Sequence, residues 1–145
     1  MIGRRAVVAA AIVAIATSSI GYAADASGGT DDALGPGLVT VTIDIDHSHF
    51  SIDHLRVHTG TLVRFLVDNH DPIAHELVVG DGAVHAAHEQ GSEAIHPPVP
   101  GEVSVAGGDV GETFYRFDVA GSYLFACHLP RHFAYGMHGV VTVSD

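Results

Sequence analysis

A cysteine, a histidine and a methionine follow one another at intervals of five near the C-terminus, at Cys127, His132 and Met137. Strand-forming residues lie on both sides: Tyr123-Leu-Phe-Ala precedes the cysteine and Gly139-Val-Val-Thr-Val follows the methionine. The segment therefore predicts a loop between two strands of a sheet, which presents three side chains from one turn. A thiolate, an imidazole and a thioether together form a soft ligand set, and such a set favours copper.

A trigonal copper site with two imidazoles, one thiolate and a weak axial thioether needs a second histidine from elsewhere in the chain. His75 is the best candidate, because it opens the apolar run Glu76-Leu-Val-Val, which predicts a strand. His70 lies five residues upstream, in the break before Pro72. We therefore expect His75 to be essential for the site and His70 to be dispensable.

From Gly60-Thr-Leu-Val-Arg-Phe through Asn69 and His75 to the last strand, over residues 38–144, the chain resembles the cupredoxins, the small blue copper proteins. The Cys-x4-His-x4-Met spacing is also similar to the type 1 copper loop of multicopper oxidases. The resemblance implies a Greek-key β-sandwich that is not an enzyme and that carries one electron by cycling between Cu(I) and Cu(II). It implies one copper ion, with the ligands His75, Cys127, His132 and, as axial thioether, Met137.

Other chemistries fit these residues less well. Ala126 stands where copper nitrite reductases carry a histidine before the cysteine, and His47/His49 is the only His-x-His pair, too few for a trinuclear copper cluster. Oxygen reduction is therefore excluded. Zinc accepts thiolate and imidazole as well, but a methionine ligand makes it the weaker alternative. A lone cysteine would otherwise predict an inert buried thiol, and a cysteine–histidine nucleophile pair is a further alternative.

Short strands separated by glycine-rich turns predict an all-β sandwich. Residues 38–45 alternate apolar and polar side chains, which places Val39, Val41, Ile43 and Ile45 on one face. The remaining strands are predicted at 52–57, 61–68, 112–119, 122–127 and 138–143, together with the strand that His75 opens.

The segment 80–108 is too long for a simple turn and is similar to the insertions of copper-tolerance cupredoxins. Residues 83–90 predict a short helix with His85, His88 and Glu89 on one face. The prolines of 96–100 predict an extended stretch after it.

Five histidines outside the predicted copper site leave two interpretations open. His47 and His49 lie two residues apart on an extended segment, at a spacing that can chelate a metal ion. One interpretation is an accessory metal site; the other is ordinary loop and strand-end histidines that titrate near neutral pH. The residues concerned are His47, His49, His85, His88 and His96.

The first 24 residues predict a signal peptide. Arg4 and Arg5 precede the apolar stretch 6–16, and small residues follow, so cleavage after Ala23, Ala24 or Ala26 is expected. Both the general export route and the twin-arginine route are open, and an uncleaved membrane tether is the alternative. We expect residues 25–37 to form a flexible leader and 38–145 to form the cupredoxin domain. The protein is then exported, to the periplasm or the extracellular space.

The chain is acidic, with a formal net charge of −11. Binding to nucleic acid is excluded, because it needs a basic surface. The charge favours a basic redox partner protein, and we expect a monomer without stable membrane insertion after cleavage. Two functions remain open: a one-electron carrier, or an extracytoplasmic copper-tolerance protein that sequesters or transfers copper and has an accessory site in the insertion.

Overall fold

Two β-sheets form the structure, a computed structural model that describes residues 33–90 and 99–145. The signal peptide predicted for 1–24 and the histidine His96 lie outside the described residues. The elements are β1 (Gly37–Asp46), β2 (His49–Phe50), β3 (His54–His58), β4 (Thr61–Asn69), β5 (His75–Gly80), α1 (Gly82–Gln90), β6 (Glu102–Val105), β7 (Val110–Phe117), β8 (Gly121–Ala126) and β9 (His138–Ser144). A short 3-10 turn, Phe133–Tyr135, lies between β8 and β9.

The strand order shows how distant parts of the chain meet. One sheet has the order β2-β1-β4-β7 and the other the order β3-β9-β8-β5-β6. The pairs β1/β4 and β3/β9 are parallel, and neither joins strands that follow one another in the chain. The chain therefore crosses between the sheets, and the predicted all-β Greek-key sandwich is confirmed.

The core lies between the two sheets and follows the period of two along each strand. In β1, Val41, Ile43 and Ile45 are buried while the residues between them are exposed. Strand β5 differs, because all six of its residues are buried. Helix α1 packs against β5 and β8 from the side opposite the core, so both faces of β5 are covered.

The segment 80–108 contains the predicted helix and a strand that was not predicted. Helix α1 begins after Asp81, whose Oδ1 accepts hydrogen bonds from the backbone N–H groups of Ala83 and Val84, at 3.0 and 3.1 Å. This carboxylate satisfies two amides that no helical carbonyl reaches. Strand β6 pairs with β5 at the edge of the sheet. Its residues Glu-Val-Ser-Val do alternate, but a strand of four residues directly after a proline-rich stretch is too short for this alternation to stand out in the sequence.

The expectation that His47 and His49 lie on one extended segment is wrong. His47 and Ser48 have φ values of 50° and 56° and form the turn between β1 and β2. Two left-handed residues are typical of a tight hairpin turn whose twist matches the strands. The carboxylate of Asp71 accepts hydrogen bonds from both backbone N–H groups of the turn, from His47 at 2.8 Å and from Ser48 at 2.7 Å. These bonds stabilise the turn conformation.

The end of the predicted leader is attached to the sandwich. The Leu34 N–H donates to the Arg56 carbonyl at 2.9 Å, and Leu34 forms a bridge with Val57. Its side chain packs against the core. The rest of the leader, up to residue 32, lies outside the described residues. Within the part of the chain that is described, no helix has the length and apolar character that crossing a membrane requires.

Gly107 lies where β6 has ended and the chain passes close to the segment that leads to His75. A Cβ atom at this position would stand 2.5 Å from the carbonyl carbon and oxygen of Pro72. Backbone cannot yield as a flexible side chain can, so Gly107→Ala is expected to destabilise the fold by about 1–3 kcal/mol. Chemical denaturation measures this loss.

Gly35→Ala is the matched control for this substitution, because no heavy atom lies within 4 Å of its Cβ position. We expect a change in unfolding free energy within about 0.5 kcal/mol there. Equal effects of the two substitutions would contradict the role given to the contact with Pro72.

Candidate metal centre

Three of the four predicted ligand residues come together at one end of the sandwich. His75 is the first residue of β5, whereas Cys127 and His132 lie in the loop between β8 and β9. One ligand atom from each of them lies within 4.8 Å of those of the other two. Strand β5 pairs with β8 in the same sheet, and this pairing brings the histidine next to the loop.

The loop after Cys127 is closed by its own backbone. The Cys127 N–H donates to the Met137 carbonyl at 3.1 Å, and the Met137 N–H donates to the His132 carbonyl at 3.1 Å. Gly136 supplies the left-handed turn, with φ at 96°. Met137, the fourth predicted ligand residue, is fully buried at the loop's end. One short loop therefore holds a thiol, an imidazole and a thioether between two paired strands.

His75 presents one free nitrogen in a fixed orientation. Its Nε2–H donates to Asp71 Oδ2 at 2.9 Å, so the neutral ring has its lone pair on Nδ1. That Nδ1 atom is buried and has no hydrogen-bond partner. A buried polar atom without a partner is costly, and a metal ion beside Cys127 would satisfy it. A carboxylate that binds the other nitrogen of a ligand histidine is a common support of metal sites.

Asp71 owes its position to an extensive hydrogen-bond network. Besides His75 it binds the two hairpin amides, and its own N–H donates to Asn69 Oδ1 at 3.1 Å. Burial works to raise the pKa of Asp71, but hydrogen bonds from Ser48, His75 and His47 outweigh it and lower the pKa. The Asp71 side chain is therefore an ionised carboxylate at neutral pH. The turn residues of 69–72 predict only a break in the chain, so Asp71 carried no prediction. The available signal was an aspartate four residues before a candidate ligand.

The Cys127–His132 pair is chemically suited to a soft metal ion. Cys127 Sγ and His132 Nδ1 are 3.2 Å apart, and the His75 and His132 rings have centroids 4.8 Å apart. Burial, and then the nearby His75, lower the pKa of His132, against an opposing effect of Asp71. Burial raises the pKa of the Cys127 thiol to about 11. In the metal-free protein the thiol thus holds its proton, which metal binding must release.

Glu76 is a buried carboxylate directly after His75. It is 3% exposed, and its Oε1 accepts a hydrogen bond from the His128 N–H at 2.6 Å. This bond ties strand β5 to the residue that follows Cys127. Sequence patterns missed Glu76 because it occupied an ordinary position within a predicted strand.

The histidines considered for an accessory site separate into two places. His85 and His88 of α1 lie next to His128, which carried no such prediction. His47 and His49 belong to the hairpin at β1 and β2. A second group with the spacing of metal ligands, outside the centre at Cys127, consists of Asp44, Asp68 and His70, and two of its three members are exposed.

Metal-free protein is expected to lose stability as the pH falls from 7 to 5. The pKa values of three histidines are lowered, in each case chiefly by burial: His85, His132 and His128, the last to about 4. Unfolded histidines titrate near 6.5. Below that pH the unfolded chain binds more protons than the folded chain, so acid favours unfolding.

The size of this effect is set mainly by His128. At pH 5, His128 accounts for about 1–2 kcal/mol of the lost unfolding free energy once its partial exposure is taken into account. Thermal unfolding at pH 7 and pH 5 measures the change, and His128→Gln is expected to flatten the dependence. Equal midpoints at both pH values would contradict the prediction.

Comparison with known proteins agrees with the geometry. The sequence profile of the copper binding proteins of the plastocyanin/azurin family matches residues 38–144. The chain is 41% identical over 102 residues to the "Copper-resistant cuproprotein CopI" of Rubrivivax gelatinosus, covering 68% of this chain and 61% of that protein. It is 27% identical over 145 residues to auracyanin-B of Chloroflexus aurantiacus, covering 88% of this chain and 62% of that protein.

The chain thus spans less than two thirds of the length of these two relatives. Among solved structures, auracyanin B superimposes with a TM-score of 0.62 at 24% identity, over 76% of this chain and 91% of that chain. This likeness shows the fold. With a family profile matched from the first strand to the last, and with two imidazoles and a thiol gathered at one end of the sandwich, the chain belongs to the plastocyanin/azurin family of copper-binding proteins, the cupredoxins.

Proposed function

We propose that this protein is an exported type 1 copper protein that carries single electrons, with His75, Cys127, His132 and Met137 as the copper ligands. The observation that carries the proposal is the buried, partnerless Nδ1 of His75, fixed by Asp71, in the same cluster as Cys127 and His132. The donor set of two imidazoles, one thiolate and one thioether is that of blue copper sites. When bound, copper supplies reversible one-electron chemistry.

The chain's contribution is to keep this donor set in one geometry in both oxidation states. His75 is locked by Asp71, and Cys127 and Met137 are tied to each other through their backbones. Burial of Cys127 and Met137 excludes water from the sulfur ligands. A site that does not rearrange on reduction has a small reorganisation cost, which favours fast electron transfer.

Electrons are proposed to pass through His132. This ring is half-buried, whereas the His75 ring has no exposure at all. The residues around His132 in the loop reach the surface, and Tyr135 is 64% exposed. A partner that docks over the loop comes close to the His132 edge. The acidity of the chain favours a basic redox protein as that partner. We propose that this protein binds it as a monomer.

The visible spectrum of the copper-loaded protein tests the proposal. We expect an intense blue or green band from thiolate-to-copper charge transfer, and a reversible one-electron wave in a redox titration. Cys127→Ser is expected to abolish the band and leave the sandwich folded, because the strands supply most of the core. A colourless Cu(II) complex whose Cys127 thiol is still free to react would overturn the assignment.

A copper-tolerance role is the second candidate function. It is supported by the identity of 41% to a protein named as a copper-resistant cuproprotein, and by the histidines of α1. The two functions differ in what they need. Electron transfer requires a fast exchange with a redox protein, which stopped-flow mixing with a basic cytochrome measures. Tolerance requires that expression of the chain raises the copper concentration at which a copper-sensitive bacterium stops growing.

A further inference from the structure

The loop that follows Cys127 carries one residue with a fixed charge. Between Cys127 and Met137 the sequence has no aspartate, glutamate or lysine and a single arginine, Arg131, directly before His132. Arg131 is exposed, and the Cα atoms of neighbouring residues are only about 3.8 Å apart. A permanent positive charge therefore lies at the surface next to the residue through which electrons are proposed to pass, in a chain whose net charge is −11.

Arg131 differs from the other arginines of the described residues because its side chain has no partner there. Arg64 donates a hydrogen bond to Glu112 at 2.7 Å, and Arg116 donates one to a backbone carbonyl at 3.3 Å. Arg56 interacts with the protein as well. Within the part of the chain that the structure describes, the Arg131 guanidinium makes neither a hydrogen bond nor an ion pair. Its five N–H donors are thus available to another molecule.

The backbone of Arg131 adopts a conformation that favours glycine. Its φ is 75°, in the left-handed region, where a residue with a Cβ atom is strained. The Tyr135 N–H donates to the Arg131 carbonyl at 3.0 Å and helps to hold this conformation. Stability alone favours glycine at such a position. Strained residues cluster at functional sites, so an arginine here indicates that its side chain has a role outside the fold.

We propose that Arg131 is a recognition residue of the electron-transfer surface and binds a carboxylate of the redox partner as the partner docks at His132. This inference rests on the proposed function. Arginine suits the task, because its planar guanidinium can donate two parallel hydrogen bonds to one carboxylate. The acidity of the rest of the chain favours a basic partner, so we expect an acidic group within basic surroundings on that partner. Charges of opposite sign on one surface fix the orientation of docking.

Small redox ions of opposite charge test Arg131 without a known partner. The Cu(I) protein is mixed either with hexacyanoferrate(III), a trivalent anion, or with tris(phenanthroline)cobalt(III), a trivalent cation. One electron passes from the copper ion to the reagent, which leaves as hexacyanoferrate(II) or as the cobalt(II) complex. At a pH of about 8 the exposed histidines are neutral, so they add no charge to the loop. The growth of the visible band gives the rate constant of oxidation.

Arg131→Gln is expected to slow oxidation by the anion about threefold at an ionic strength of about 0.1 M, where the Debye length is about 10 Å. Oxidation by the cation is not slowed, and Arg131→Lys restores the rate with the anion. At about 1 M salt, where the Debye length is about 3 Å, the effect of Arg131→Gln is expected to disappear. The reduction potential of each variant is measured as well, which separates a change in driving force from a change in encounter.

Arg116→Gln is the matched control, because it removes the same charge at the other end of the sandwich. Arg116 lies opposite Leu62 near the start of β4, whereas Asn69 at the end of this strand leads to the copper centre. The separation along the strand is roughly 20 Å at about 3.3 Å per residue, which exceeds the Debye length. We therefore expect Arg116→Gln to react with the anion as fast as the unaltered protein.

Arg131→Gly separates recognition from stability. Glycine adopts a left-handed φ without strain, so we expect a thermal midpoint no lower than that of the unaltered protein, together with the slower reaction with the anion. The inference is overturned if Arg131→Gln reacts with the anion as fast as the unaltered protein, or if Arg116→Gln is slowed equally. A clear loss of thermal stability in Arg131→Gly would also overturn it, because the arginine would then serve the fold. If the unaltered protein reduces neither ion, the proposed function itself fails, and this inference with it.

Discussion

Copper-loaded His75→Ala is expected to lack the visible band, whereas copper-loaded His70→Ala keeps it. The two histidines are five positions apart in the sequence, but the structure gives them different surroundings. His75 is fully buried, hydrogen-bonded to Asp71 and grouped with Cys127 and His132. His70 is half exposed, and its Nε2 lies 3.6 Å from Asp44 Oδ1 and 3.8 Å from Asp68 Oδ2.

The expected loss in His75→Ala is large for two reasons. The variant removes one of two imidazole ligands, and it also takes from the buried Asp71 carboxylate the hydrogen bond of His75, leaving those of the His47 and Ser48 amides. Loss of a residue that merely supports a ligand typically lowers metal affinity about 10–100-fold, so loss of the ligand itself is expected to exceed about 100-fold. Competition with a chromogenic copper chelator measures this change, and absorbance measures the band.

His70→Ala removes only exposed ionic contacts, and such contacts contribute little to stability. We therefore expect its copper affinity and its spectrum to match those of the unaltered protein. If His70→Ala were colourless and His75→Ala were blue, the ligand would be five residues upstream and the proposed site would be wrong. Far-ultraviolet circular dichroism of both variants shows that the comparison is between folded proteins.

The sequence predicted those parts of the fold that repeat a pattern. Alternation in β1 predicted a half-buried strand, and the helix-forming residues from Ala83 onward predicted α1. Strand β6 escaped because its alternation extends over only four residues, Glu102–Val105, directly after a proline-rich stretch. The hairpin at His47 escaped because neither of its two left-handed residues is a glycine; the carboxylate of Asp71, which is distant in the sequence, stabilises them.

The site shows the same division between local and distant information. Cys127, His132 and Met137 share one loop, so their spacing alone indicated their association. The supports of the site come from elsewhere: Asp71 lies before β5, and Glu76 reaches across to the residue after Cys127. A single sequence contains no pattern that pairs a strand carboxylate with a backbone amide 52 positions away. Such contacts appear only when the strand order is known.

Glu76→Gln is expected to raise the reduction potential of the copper centre. The Glu76 carboxylate is 3% exposed and lies between His75, its neighbour in the chain, and the His128 amide that it binds. A buried negative charge stabilises Cu(II) more than Cu(I), because the two differ by one positive charge. At an effective dielectric constant of about 20, one charge at about 8–16 Å contributes about 1–2 kcal/mol, which corresponds to roughly 40–90 mV for one electron.

Glutamine is a suitable replacement because its side-chain oxygen can still accept the hydrogen bond from the His128 N–H. The charge is then removed while the link between β5 and the Cys127 loop remains, and the visible band is expected to persist. Glu112→Gln is the matched control: Glu112 is an exposed residue of the other sheet that pairs with Arg64. Solvent and salt screen its charge, so its removal is expected to move the potential by only a small fraction of the Glu76 effect. Equal shifts in the two variants, or a lower potential in Glu76→Gln, would show that the buried carboxylate does not set the potential.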